Sequence, residues 1–162
     1  MRFQARKPTA ESSAATAISD DLWRILVAAT IAAHRQHVQR FQQTLAQIDR
    51  FPPEDWTPGL VVALLLRLQV RLLTEERGAT LEDLIEAHGR HFHALTGRSD
   101  YWLSRTLRSV IDFSGEDPDV RGEVLIVLGT AALGLLLADP EHQLAQMRPV
   151  VEKHVKAGPL RP

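Results

Sequence analysis

An uncharged stretch of fifteen residues, VLIVLGTAALGLLLA from Val124 to Ala138, limits the fold of this chain more than any other feature. A helix that is apolar on all sides needs protein around it. As a helix the stretch would span about 22 Å, less than the roughly 30 Å hydrocarbon core of a membrane. It therefore predicts a buried helix over about residues 118–138. Thr130, Gly134 and Ala138 recur every four residues, which predicts a close helix crossing.

Helix start and stop signals divide the rest of the chain. Ser19 is a good N-cap, Thr80 with Asp83 forms a capping-box pattern, and Gly97 is a typical helix end. No segment alternates apolar and polar residues as a half-buried strand does. We expect an all-α fold: a compact array of six helices around a buried hydrophobic central helix, the first running from residue 19 to about 50. Residues 1–18 are predicted to be a flexible arm, 19–157 a single helical domain and 158–162 a loose tail.

Composition excludes several classes of protein. The 162 residues are 44% hydrophobic, which is enough for one domain with one core. The absence of cysteine excludes disulfides, thiolate metal sites and thiol nucleophiles. A formal charge of −1 lacks the strong positive field of a dedicated nucleic-acid binder. The N-terminus has no continuous apolar segment of the secretory type, so we expect a cytoplasmic protein that makes no membrane contact.

The predicted first helix carries a heptad pattern of mostly apolar residues, spaced alternately by four and three positions. Its members are Val27, Ile31, His34, Val38, Phe41, Leu45 and Ile48. The second half of this pattern, Val38, Phe41, Leu45 and Ile48, is the predicted interaction face. Periodicity alone does not decide whether the partner helix belongs to the same chain or to a second subunit.

Arginines form a second candidate surface, for nucleic-acid backbone contacts. Its members are Arg35, Arg40, Arg67, Arg71, Arg98, Arg105 and Arg108. Arg71 has Glu75 and Arg108 has Asp112 four residues later, so ion pairs within a helix explain part of the pattern. Arg67 has no such partner.

Tyr101 and Trp102 stand between Arg98 and Arg105 in the sequence. Interleaved aromatic and basic residues are typical of a stacking surface. The alternative interpretation is that the two rings anchor the start of a helix.

A metal site is a further hypothesis, in which His34, His37, His88 and His91 supply the ligands. At about 100° per residue, His88 lies within the apolar stripe of its helix and His91 at the edge of that stripe. Convergence therefore needs the first helix to approach, and no HExxH motif is present. The alternative is hydrogen-bonded core histidines, with His34 and His88 meeting in the core. We predict no cofactor.

Catalytic signatures are missing: there is no GxSxG, no glycine-rich phosphate loop and no paired-carboxylate motif. The leading hypothesis is a non-enzymatic helical module for interaction or assembly, acting on a protein partner or a second copy of itself. One alternative is a small helical subunit that contacts the backbone of RNA or single-stranded DNA in a larger complex. Two others are a histidine-based metal or cofactor pocket and a small-molecule sensor with an internal cavity.

Overall fold

The computed structural model describes residues 18–52, 57–111 and 122–157, and within these ranges the chain is helical, with no strand. The all-α class is confirmed, and the described residues form seven α-helices where we expected six. They are α1 (Asp20–His34), α2 (Val38–Leu45), α3 (Thr57–Arg71), α4 (Leu81–Thr96), α5 (Asp100–Ile111), α6 (Gly122–Leu136) and α7 (Pro140–Ala157). A 3₁₀ helix, Ala46–Arg50, follows α2, and a π-helical turn, Leu72–Glu76, extends α3.

The predicted single helix over residues 19–50 is wrong, because the backbone turns between α1 and α2. Gln36 has a φ of 60°. The Gln36 amide donates to the Ala33 carbonyl at 3.0 Å, and the His37 amide donates to the Ala32 carbonyl at 2.9 Å. These two bonds form a Schellman motif, which normally has glycine at the left-handed position. Because glutamine occupies that position, no typical residue marks the end of the helix. The residues of the heptad pattern therefore do not form one straight stripe.

Helix α6 contains most of the uncharged stretch and contacts α1, α3, α4 and α5. Two glycines of α6 permit its close contacts with α1 and α3. A Cβ at Gly134 would lie 2.6 Å from the Ala33 Cβ and from the Thr30 carbonyl oxygen, and a Cβ at Gly129 would lie 2.6 Å from Val62 Cγ1. The predicted close crossing is therefore present at Gly134. Ala138 is exposed and follows the end of the helix.

The helix ends follow the capping signals. The Ser19 hydroxyl accepts from the Leu22 amide, and the Thr80–Asp83 capping box is present. Gly97 ends α4 with a φ of 74°. Ile18, which the sequence placed in the arm, is fully buried in the core. The rest of the arm, the tail and the predicted start of α6 before Gly122 lie outside the described residues.

Arg148 on α7 holds the start of α1. Its guanidinium donates to Asp20 at 2.9 Å and to Glu152 at 3.0 Å, and it lies 5.1 Å from the ring centre of Trp23. Burial lowers the pKa of Arg148, but hydrogen bonds to Asp20 and Glu152 outweigh that and raise it. The charged form is therefore the stable one at this junction of α1 and α7.

Pro149 lies inside α7, and the helix continues through it. A proline has no amide hydrogen, so the carbonyl of Ala145 loses its donor from residue 149. Because Ala145 is exposed, water can take the place of that donor.

The continuous helical segment Thr57–Glu76 has the length and composition of a membrane-crossing helix. Half of it is buried inside the folded chain, and the core helix of a soluble protein passes the same test. The segment alone is therefore weak evidence for a membrane span.

Candidate interaction surface

The corner between α4 and α5 positions the aromatic and arginine residues that the sequence placed side by side. After Gly97 the chain turns, and the amides of Trp102 and Leu103 donate to the Ser99 carbonyl. Gly89 on α4 lies against the carboxylate of Asp100, and a Cβ at Gly89 would lie 2.9 Å from Asp100 Cγ. This close approach sets the position of the first turn of α5.

Trp102 lies at the centre of the surface. The guanidinium carbons of Arg98 and Arg105 lie 5.0 and 5.6 Å from its ring centre, within cation–π range. The Tyr101 ring packs edge-on against it, with the ring centres 5.5 Å apart and the planes at 84°. Arg105 Nη1 donates to the Tyr101 hydroxyl at 3.1 Å. We call Arg98, Tyr101, Trp102 and Arg105 the Trp102 surface.

Arg98 and Tyr101 of this surface are exposed, and Trp102 and Arg105 are partly buried. Tyr101 is 60% exposed. Among the residues that the structure describes, neither Arg98 nor Arg105 forms an ion pair with a carboxylate. A guanidinium has five N–H donors, so both arginines retain donors for a carboxylate or a phosphate. The surface can therefore bind an anionic group while it buries apolar ring area.

The predicted interaction face, unlike the Trp102 surface, packs against the core of the same chain. Phe41 is fully buried and Leu45 is 7% exposed, both within the core of the same chain. Val38 and Ile48 are partly buried and pack against that core. A shallow groove of about 290 Å³ opens beside Phe41, where α2 meets α4 and α6. The four residues therefore do not form an exposed strip, because the turn at Gln36 directs α2 back onto its own domain.

Some of the other predicted nucleic-acid-binding arginines already interact with residues of the same chain. Arg108 pairs with Glu82 at 3.2 Å. Its expected partner Asp112 lies outside the described ranges. Arg71 lies 3.9 Å from Glu75, as the spacing predicted, and donates to the Ile111 carbonyl. Arg35 and Arg40 are exposed near the α1–α2 turn.

Arg67 differs from the other arginines on the helices. Its Nε is buried without a hydrogen-bond partner in the described structure. Burial, followed by repulsion from Arg71, lowers the pKa of Arg67. Glu75 raises the pKa of Arg67 in part, but burial and Arg71 outweigh it.

The histidines do not assemble a metal site within the residues described. His34 Nδ1 lies 3.1 Å from the carbonyl oxygen of Gly134, so it contacts the α1–α6 crossing. His88 is partly buried, and burial together with the neighbouring His91 lowers its pKa. His37 is exposed at the start of α2. In the ranges the structure covers, no three histidine, aspartate or glutamate side chains gather as metal ligands.

Comparisons with known protein families, with curated proteins and with solved structures found no match to this chain. The geometry of the Trp102 surface therefore supplies the evidence for a function.

Proposed function

We propose that this protein is a non-enzymatic, cytoplasmic interaction module that binds an acidic protein partner through the Trp102 surface. In this proposal α6 is the central helix of the scaffold. The observation that carries the proposal is the 60% exposure of Tyr101 beside Trp102 and two arginines that have no carboxylate partner in the described structure.

The composition of the surface favours a protein partner. Tryptophan, tyrosine and arginine are the residues most enriched among those that dominate binding energy at protein interfaces. Arg105 is held by the Tyr101 hydroxyl, so less side-chain entropy is lost when a partner binds. The overall charge of −1 supplies no long-range attraction for a polyanion. A local acidic group beside an apolar contact fits these features best.

A second copy of the chain is a poorer partner for this surface. A symmetric dimer places the same patch of both subunits face to face. Arg98 and Arg105 of one copy would then approach the same arginines of the other, and like charges across an interface are unfavourable. The arrangement therefore favours a different, acidic protein.

The test is site-specific photo-crosslinking in the source cells, with a benzophenone amino acid in place of Tyr101. The same probe at His142, which is exposed on α7, is the matched control. We expect a discrete protein adduct from position 101 only, lost when Arg98→Glu and Arg105→Glu are combined. No adduct, or equal adducts from both positions, would contradict the proposal.

A second candidate is binding to RNA or single-stranded DNA. The same exposed tyrosine ring beside two guanidinium groups is a platform on which a base can stack. Fluorescence anisotropy with a single-stranded oligonucleotide distinguishes the two. Binding that weakens steeply with salt and is lost in the Arg98→Glu, Arg105→Glu variant favours this candidate. Adducts that contain only protein favour the first.

A further inference from the structure

A groove of about 370 Å³ lies between α3 with its π-helical turn and α7. Leu72, Met147 and Val150 form part of its apolar wall, and Val150 is 41% exposed. The groove is close to the end of α5, since the Arg71 side chain that lines it also donates to the carbonyl of Ile111. Tyr101 and Trp102 lie in the first turn of α5, so the groove and the Trp102 surface are separate.

One buried polar atom at this groove, Gln69 Oε1, lacks a hydrogen-bond partner in the described structure. Gln69 lines the groove, yet it is only 2% exposed. Its Nε2 donates to the Leu136 carbonyl at 3.0 Å, which fixes the orientation of the amide. Its Oε1 is buried and accepts no hydrogen bond in the described structure. A buried acceptor without a donor is costly, so a ligand that brings an N–H or O–H group gains from contact with it.

The π-helical turn adds acidic groups further along the same wall. Glu75 and Glu76 are both exposed and both line the groove. Glu75 is only loosely paired with Arg71, at 3.9 Å, and Glu76 forms no ion pair within the ranges described. With one arginine and two glutamates, the lining is acidic by one charge. Turns of this type occur frequently at functional sites.

We propose that this groove binds a small organic cation: an aliphatic primary amine that carries a second hydrogen-bond donor at its far end. The ammonium group binds at Glu75 and Glu76, and the aliphatic chain lies on Leu72 and Met147. The far donor reaches the Gln69 amide oxygen. Gln69 and Glu76 are seven residues apart, about 10 Å along a helix, so an extended chain of about six carbons matches the distance.

Isothermal titration calorimetry on the full chain with 6-aminohexan-1-ol tests this site. We expect saturable binding at millimolar concentration. The neutral 1,6-hexanediol should bind roughly tenfold more weakly because it lacks the charge. The anion 6-hydroxyhexanoate should show no binding, and hexylamine, which lacks the far donor, should bind more weakly than the amino alcohol.

Combining Glu75→Gln with Glu76→Gln should weaken the binding of the amino alcohol roughly tenfold. Glu141→Gln is the matched control, because Glu141 is exposed on α7 and does not line the groove. Gln69→Leu should reduce the affinity for the amino alcohol to that for hexylamine. If that variant does not fold, the comparison of the two amines on the unmodified protein tests the same contact.

Three results would overturn the proposal: no binding of the amino alcohol, equal binding of the amine and the diol, or an unchanged affinity in the double glutamine variant. None of these variants alters the Trp102 surface, so a failure here leaves the proposed protein interaction standing.

Discussion

Phe41 on α2 and Tyr101 on α5 are aromatic residues on short helices with opposite surroundings. Phe41 is fully buried, whereas Tyr101 is 60% exposed. Phe41 belongs to the core that α2 shares with α1 and the rest of the domain. Tyr101 contacts Trp102 and Arg105 at the surface. The first region belongs to the core, and the second is exposed in the described structure.

The difference shows what an apolar pattern leaves open. The spacing of Val38, Phe41, Leu45 and Ile48 indicates that one side of a helix is covered, but not by which chain. The turn at Gln36 decides this, because it directs α2 onto its own domain. At Tyr101, by contrast, the neighbouring residues indicate the surroundings. Two arginines beside two aromatic rings are typical of a surface that water reaches.

A large loss of stability is expected on the buried side of this comparison, at the crossing of α1 and α6. Gly134→Ala should lower the free energy of unfolding by about 2–3 kcal/mol, because the new methyl group meets the backbone of α1 at Thr30 and His34. Gly59→Ala is the matched control, since no neighbouring atom lies within 4 Å of a Cβ at that position. Chemical denaturation of both variants measures the difference. Equal effects would mean that α1 and α6 do not cross as closely as described.

A smaller effect in the opposite direction is expected at the turn that places α2. Gln36→Gly should raise the free energy of unfolding by about 1 kcal/mol, because glycine adopts a positive φ without the steric cost that glutamine incurs. Gln36→Ala lacks this freedom and is the control. A loss of stability in the glycine variant would argue against the Schellman turn, and with it the route by which Phe41 enters the core.

A pH effect is expected at His88 on α4, the helix that contacts both α2 and α5. Burial and His91 lower its pKa below 6.5, so the folded chain binds a proton there less readily than the unfolded chain. Stability should therefore fall as the pH drops through about 6.5, and the loss is complete below the folded-state pKa. Denaturation between neutral and mildly acidic pH should show a weaker dependence in His88→Gln than in the control His142→Gln. An identical dependence in both would exclude His88 as the cause.

Much of the fold follows from local signals. The uncharged stretch of α6, the Ser19 cap, the Thr80–Asp83 capping box and the end at Gly97 were all predictable, because each depends on a few neighbouring residues. The turn at Gln36 was not predictable, since a non-glycine residue in the left-handed region is tolerated only in a packed context.

The two candidate sites also differ in how far the local sequence predicts them. The residues of the Trp102 surface are close in sequence, so the pattern singled them out, with a stacking surface and an anchor at the helix start as the two interpretations. Gln69 stood out only as a polar interruption of an apolar helix. The groove it lines needs α7, which is distant in sequence, so no local pattern predicts it.

In the described structure α2 is part of the core and Tyr101 is exposed. The most direct test of this contrast is the free energy of unfolding of Phe41→Ala and Tyr101→Ala, measured side by side. Phe41→Ala should lower the free energy of unfolding by about 3–5 kcal/mol, because it leaves a cavity in the core. Tyr101→Ala should stay within about 0.5 kcal/mol of the unmodified chain. Equal losses of stability in the two variants, or an unchanged stability in Phe41→Ala, would contradict this assignment of α2 to the core.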